Sequence, residues 1–241
     1  MEEITVTGIV LSAMPYREKD KLIHVFTVEL GKVTAILKGV SAPNAKLKFA
    51  GQPFCFAKFD LTMSKDIYVV KGCELIDSFF DLTQNYDNYS LSMSMLEICS
   101  VILKPNILAE SLFLTLIKSL QNIVYNNVDV LIVVLKFILS TLQIIGYELN
   151  FYSCDNCGMK FVGDIKFDVY SGTFRCAVCS SGKVVAPKEF AILKMVSSTD
   201  IDRLHTLKFR QDDIKGCLKL VYMDINERLN TRLKSIDMNI L

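Results

Sequence analysis

Two cysteine pairs, Cys154-Asp155-Asn156-Cys157 and Cys176-Ala177-Val178-Cys179, restrict the folding choices of this chain more than any other stretch. Their spacing is C-x2-C-x18-C-x2-C, which fits four thiolates around one zinc ion. Each C-x-x-C turn aims two sulfurs at a common point, and two turns complete a tetrahedron. Gly158 follows the second sulfur directly and suits a tight backbone, since glycine accepts positive φ. With every position filled by protein, a single Zn2+ held by Cys154, Cys157, Cys176 and Cys179 is structural. A redox dithiol would stand in a strand-then-helix context, and neither pair does. Between the pairs, Lys166 to Tyr170 alternates as a strand and Ser171-Gly172 turns it, as in a small ribbon. Cys55, Cys73, Cys99 and Cys217 are isolated among apolar residues and read as core.

No secretory leader is visible, because Met1-Glu2-Glu3 runs straight into strand-like alternation. Eight cysteines without a leader point to a reducing cytoplasm and metal binding rather than a disulfide framework. Leu131 to Gly146 is the most apolar run, but Lys136 interrupts it. It falls short of the roughly 20 residues a membrane span needs, so it reads as a buried helix and no membrane partner is expected.

The net charge of +1 predicts no polyanionic partner by itself. Its distribution says more: Leu30 to Phe59 holds Lys32, Lys38, Lys46, Lys48 and Lys58 with no acidic residue. A local basic surface on a neutral protein suits reversible contact with phosphate backbones, although an ordinary solvated lysine face has the same composition.

Residues 1–77 read as β. Ile4 to Leu11 alternates with period two, and Pro15 to Asp20 has turn character. Leu22 to Val28, Val33 to Leu37, Phe54 to Met63 and Ile67 to Leu75 follow, with turns expected at Gly31-Lys32 and around Ser64-Lys65-Asp66. Gly39 to Gly51 reads as a loop or short helical connection. Five short strands fit a small closed barrel of the oligonucleotide/oligosaccharide-binding (OB) type, with an SH3-like barrel as the other possibility. Beyond Asp81 the period becomes helical, with stripes over Tyr89–Leu103, Leu112–Ile123 and Val130–Ile145, the last stopped by Gly146. After the ribbon, Pro187 opens another helix, and Asp212 or Asp213 caps a final one. The expected class is α+β and multi-domain. Residues 1–78 form the barrel, 79–153 and 183–241 a helical domain, and 154–182 the four-cysteine element.

Chemistry is hard to find. The two histidines, His24 and His205, lie near no nucleophile, and there is no phosphate-cradling glycine loop and no H-E-x-x-H. Asp200/Asp202 and Asp212/Asp213 fall at helix starts, where capping explains them. No acid, base and nucleophile assemble. The expectation is a binding protein, not an enzyme.

Local wording then resembles the bacterial RecO family of recombinational repair mediators. The resemblance rests on Gly8-Ile9-Val10-Leu11, Tyr16-Arg17-Glu18-Lys19-Asp20-Lys21-Leu22, Phe26 to Val33, Ala35 to Val40 and Gln52-Pro53-Phe54. Gly146-Tyr147 with Cys154 and Cys157 is similar to the family's entry into its zinc region, and Leu233-Lys234-Ser235 to its ending. The resemblance implies a bacterial, nucleoid-associated protein that binds single- and double-stranded DNA and anneals complementary strands. It would act with RecR to load RecA onto strands coated by single-stranded-DNA-binding protein (SSB), whose acidic tail it would contact. Lys32, Lys38, Lys46, Lys48 and Arg17 are the expected DNA contacts, with Lys19 and Lys21 beside them, diluted by Glu18 and Asp20. Phe49, Phe54 and Tyr68 are candidate stacking groups, although each reads first as core. Lys208, Arg210, Lys215, Lys219, Arg228, Arg232 and Lys234 offer a second basic surface or, equally, an ordinary charged helix face. The competing reading is a zinc-ribbon protein-interaction adaptor that does not bind DNA directly.

Overall fold

Five strands close into a barrel at the start of the computed structural model, which describes residues 3–64, 67–105 and 107–235. They are β1 (Glu3–Tyr16), β2 (Asp20–Thr27), β3 (Gly31–Leu37), β4 (Phe56–Ser64) and β5 (Ile67–Asp77). The order around the barrel is β1-β2-β3-β5-β4. Neighbours run antiparallel except β3 and β5, which meet in parallel at Ala35–Tyr68 and Ile36–Val69. This is the OB arrangement, so the SH3-like alternative is set aside. Alternate residues fill the interior: Val6, Ile23, Val25, Val33, Ala35, Leu37, Ala57, Phe59 and Leu61 are all buried in one cluster. Removing each large side chain from water stabilises the fold by about 1.5–3 kcal/mol.

Strand β1 outruns its expected end at Leu11. A bulge between Val10 and Ser12 lets one long strand pair first with β4, from Glu3 to Ile9, and then with β2, through Tyr16. The following turn shrinks to Arg17-Glu18-Lys19, with Arg17 at φ 56°. The β2–β3 turn also moves. It is Val28-Glu29-Leu30 closed by Gly31 at φ 66°, and Lys32 lies inside β3. Thr27 holds this turn by accepting from Leu30 N–H (3.0 Å) and donating to Gly31 O (2.9 Å). Gly31 has a second reason to lack a side chain, since a Cβ there would overlap the Ile107 carbonyl. The joint at Lys65-Asp66 lies outside the described residues.

The helices are α1 (Tyr86–Ile102), α2 (Glu110–Val124), α3 (Val130–Ile144), α4 (Pro187–Ser198) and α5 (Gln211–Arg228). Asp129 caps α3 by accepting from Leu131 N–H, and α4 begins on its proline. The aspartates expected to cap α5 do not: Arg210 occupies that position, while Asp212 and Asp213 sit in the first turn, where they face the helix dipole. The most apolar run is α3, eleven of whose 15 residues are buried. Among the described residues no helix is long and apolar enough to cross a membrane.

The chain divides into two compact units. The first is Met1–Tyr86 with Leu96–Leu114, and the second is Asp87–Met95 with Thr115–Leu241. Within the second lies the ribbon sheet β6 (Ile165–Asp168), β7 (Thr173–Cys176) and β8 (Lys183–Val185), in the order β7-β6-β8.

Candidate nucleic-acid interface and metal centre

In the first unit the two ends of the barrel differ. At the end carrying the β2–β3 turn, the segment Leu96–Leu114 packs on the barrel. Phe113 meets Phe26 edge-on at 5.1 Å and Phe56 at 6.0 Å, and Gly31 bridges to Pro105. Lys32 belongs to this end. Its ammonium donates to Ser100 O (2.6 Å) and Ser100 Oγ (3.2 Å), and burial lowers its pKa. His24 is half-buried beside it, its Nδ1 3.0 Å from Thr34 Oγ1, and burial followed by the Lys32 charge lowers its pKa.

The other end gathers cations. Arg17 and Lys19 occupy the β1–β2 turn, Lys38 follows β3, and Lys46 and Lys48 lie on the connection to β4; all five are exposed. Three contacts tie the turn to the connection. Ser41 N–H donates to Lys19 O (3.0 Å), Gly39 N–H to Asp20 Oδ1 (2.8 Å), and Lys21 Nζ to Gly51 O (3.0 Å). The Asp20 carboxylate that seemed to dilute the charge is thus engaged by backbone. Arg17 stacks over the Tyr16 ring at 5.1 Å. The structure therefore gathers Arg17, Lys38, Lys46 and Lys48 at one end and places Lys32 at the other, about 20 Å from Lys38 by six residues of strand rise.

The stacking candidates fare unequally. Phe54 is buried, 1% exposed with φ 68°, and cannot meet a base in this fold. Phe49 and Tyr68 are half-buried against the barrel core. Tyr16, which the turn character of Pro15–Asp20 hides, is the last residue of β1 and lies beside Arg17.

In the second unit the four cysteines converge. The sulfurs of Cys154, Cys157, Cys176 and Cys179 all lie within 4.8 Å of one another, with Cys157 and Cys176 at 4.0 Å. Tetrahedral thiolates at the usual metal–sulfur length stand about 3.8 Å apart, so the cage fits one ion and its geometry is not that of disulfides. Both knuckles are shaped by backbone. Gly158 N–H returns to Cys154 O (2.8 Å) with φ 72°, and Cys179 N–H returns to Cys176 O (3.0 Å). Burial opposes ionisation of Cys154, but N–H groups of Cys176, Cys157 and Asn156 outweigh it and draw the thiol to about 6. A ring cluster of Phe151, Phe161, Phe167, Phe174 and Phe190 backs the cage, with centroid separations of 5.0–5.6 Å. Of the remaining cysteines, Cys55, Cys99 and Cys217 are buried and Cys73 is half-buried.

The second basic surface thins out. Arg228 is only 13% exposed, ion-paired at 3.2 Å to the buried Asp224 and stacked over Tyr147 at 4.9 Å. Lys208, Arg210 and Arg232 are exposed, while Lys215 and Lys219 are half-buried. Lys234 is exposed as well.

An OB barrel in the first unit and a four-cysteine metal-binding element among helices in the second define the class. Residues 1–79 match the family model for the N-terminal part of recombination protein O, and residues 83–237 match that for its C-terminal part. The chain belongs to the recombination protein O (RecO) family. Relatives named DNA repair protein RecO include those of Clostridium novyi (26% identical over 95% of this chain and 91% of theirs) and Desulforamulus reducens (26% over 98% and 87%). That of Acetivibrio thermocellus is 27% identical over 74% of this chain and 71% of its own.

Proposed function

We propose that this protein is a non-enzymatic mediator of recombinational DNA repair. It binds single and double strands at the cationic end of its barrel and anneals complementary strands without nucleotide hydrolysis. With RecR it helps RecA load onto SSB-coated single strands, and it engages the SSB tail. The reading rests on one observation above all: Arg17, Lys19, Lys38, Lys46 and Lys48 are exposed around one end of an OB barrel in a RecO-family chain. Among the described residues none of the five has an ionic partner, and charges held on short, tied segments cost less to order when a phosphate backbone arrives. Lys32 has another task, fastening Ser100 to the barrel.

The caged ion is zinc, since four thiolates in a closed tetrahedron favour it, and its role is structural. Cytoplasmic location accords with four reduced thiols held for a metal.

Annealing of complementary oligonucleotides in the absence of ATP tests the reading. Wild type accelerates it, and Lys38→Glu with Lys48→Glu abolishes the acceleration while metal content and helicity are unchanged. Normal DNA binding by that variant would remove the barrel end from the mechanism. Complete indifference of the wild type to DNA would favour the protein-interaction adaptor.

A further inference from the structure

Annealing brings two polyanions together, so a protein that performs it must neutralise both. Resting on the reading above, the barrel end supplies one strand's contacts and leaves the other's unassigned. In the second unit, the stretch from Arg203 to Arg210 carries Arg203, Lys208 and Arg210, each exposed. Among the described residues none of the three has an ionic partner.

Three of the surrounding acids are engaged elsewhere. Asp202 pairs with Lys118 at 2.6 Å. Asp200 accepts from Asp202 N–H (2.8 Å) and also faces the charges of Lys118 and Lys136. Asp213 pairs with Lys188. Asp212, in the first turn of α5, is exposed beside the stretch, as are Asp200 and Asp202.

The backbone beneath these cations is fixed. Ile201–Thr206 is a 3-10 turn capped by Asp200, its Leu204 fully buried, and Asn122 Nδ2 donates to Ile201 O at 3.0 Å. Leu207 and Arg210 are both extended, with ψ 136° and 142°. Over these four residues exposure alternates: Leu207 and Phe209 are half-buried, Lys208 and Arg210 exposed. Period two points the two cations the same way, about 6.6 Å apart. Cations repeated along an extended, anchored edge suit a chain that carries one charge per residue.

We propose that Arg203, Lys208 and Arg210 form a second nucleic-acid backbone site, which holds the complementary strand during annealing. The contacts are to phosphate and therefore independent of base sequence.

The test uses the full-length, metal-loaded protein. Donor- and acceptor-labelled oligonucleotides of non-complementary sequence report bridging by energy transfer, and a complementary pair reports annealing. For Arg203→Glu/Lys208→Glu/Arg210→Glu, bridging is lost and annealing slows by at least about tenfold, while anisotropy of one labelled strand changes less than about threefold. In the milder triple alanine variant, the salt slope of bridging falls by about 2, the share of three single-strand phosphate contacts. Circular dichroism and metal content equal to wild type confirm that either variant is folded.

Wild-type bridging and annealing in both variants would overturn the site, and would assign bridging to two barrels of a dimer. An equal loss of single-strand affinity would overturn it as well, by making the two surfaces one. Intact bridging with lost binding of an aspartate-rich peptide would identify an acidic protein partner instead. Failure of the barrel reading is seen separately, as normal single-strand binding by Lys38→Glu/Lys48→Glu.

Discussion

The barrel and the cysteine ribbon hold together by opposite means. The barrel closes five strands of seven to 14 residues around a continuous apolar cluster that includes Phe59, Leu61 and Leu37. The ribbon has strands of four, four and three residues, too few to form a sheet that persists alone. What it lacks in backbone pairing is offset by four sulfurs close enough to hold one ion and by a knot of phenylalanines. The surface proposed to receive a strand is thus carried by a self-sufficient element. The element that depends on chemistry from outside is one whose task is to be held in place.

The sharpest way to break this contrast is to remove the metal. Chelation, or Cys154→Ser with Cys157→Ser, should unfold residues 154–182, because a structural site of this kind contributes about 10–16 kcal/mol. Hydrogen exchange should rise across the ribbon and stay low in β1–β5; exchange rising equally in both would end the distinction. The reciprocal experiment is Phe59→Ala in the barrel, where the side chain is 0% exposed. It should cost about 3–5 kcal/mol by denaturant titration and leave metal content unchanged.

A smaller effect separates the ion from a second restraint on the ribbon. Arg228 lies against Gly172 in the β6–β7 turn and donates to Tyr170 O, with buried Asp224 beneath it. Burial raises the Asp224 carboxyl to about 6, although Arg228 pulls the other way. The folded state therefore binds an extra proton between about pH 4 and 6, and this group's contribution to stability grows as pH falls through that window. The size is on the order of 2–3 kcal/mol. Thiolate–metal bonding has the reverse dependence and weakens on acidification. Carboxyl NMR should place the Asp224 midpoint near 6; a midpoint near 4 would mean water reaches it. Smallest in stability is the pair Lys38→Glu and Lys48→Glu. Both sites are exposed, so unfolding should shift by less than about 0.5 kcal/mol. The salt slope of DNA binding should still fall by about 1–2.

Several features were legible from residue order alone. Period-two alternation at Val6, Val25, Val33 and Phe59 implied the barrel, and C-x-x-C twice implied the cage. Pro187 and Gly146 marked helix ends that the structure keeps. The misses share a cause, which is that local pattern does not report which neighbour a strand meets. Leu11 hid a bulge because alternation continues on both sides of it. Phe54 was open to two readings, core or stacking group, because nothing local shows that it turns inward at positive φ.

By itself, then, the sequence determined the elements, their order and the four-cysteine cluster, since hydrophobic period, turn chemistry and sulfur spacing act over a few residues. Only the tertiary structure decided which charges stand together. Lys32 and Lys38 look equivalent along the chain, yet a strand has two ends. Packing of Leu96–Leu114 over one end turns Lys32 into a tether for Ser100, while the β1–β2 turn, tied to the connection at the other end, leaves Lys38 exposed among like charges. Likewise Arg228 is drawn down to a buried carboxylate, while Arg210, eighteen residues earlier on the same segment, stays exposed. Charge is written in the residue, but its availability depends on what folding places beside it.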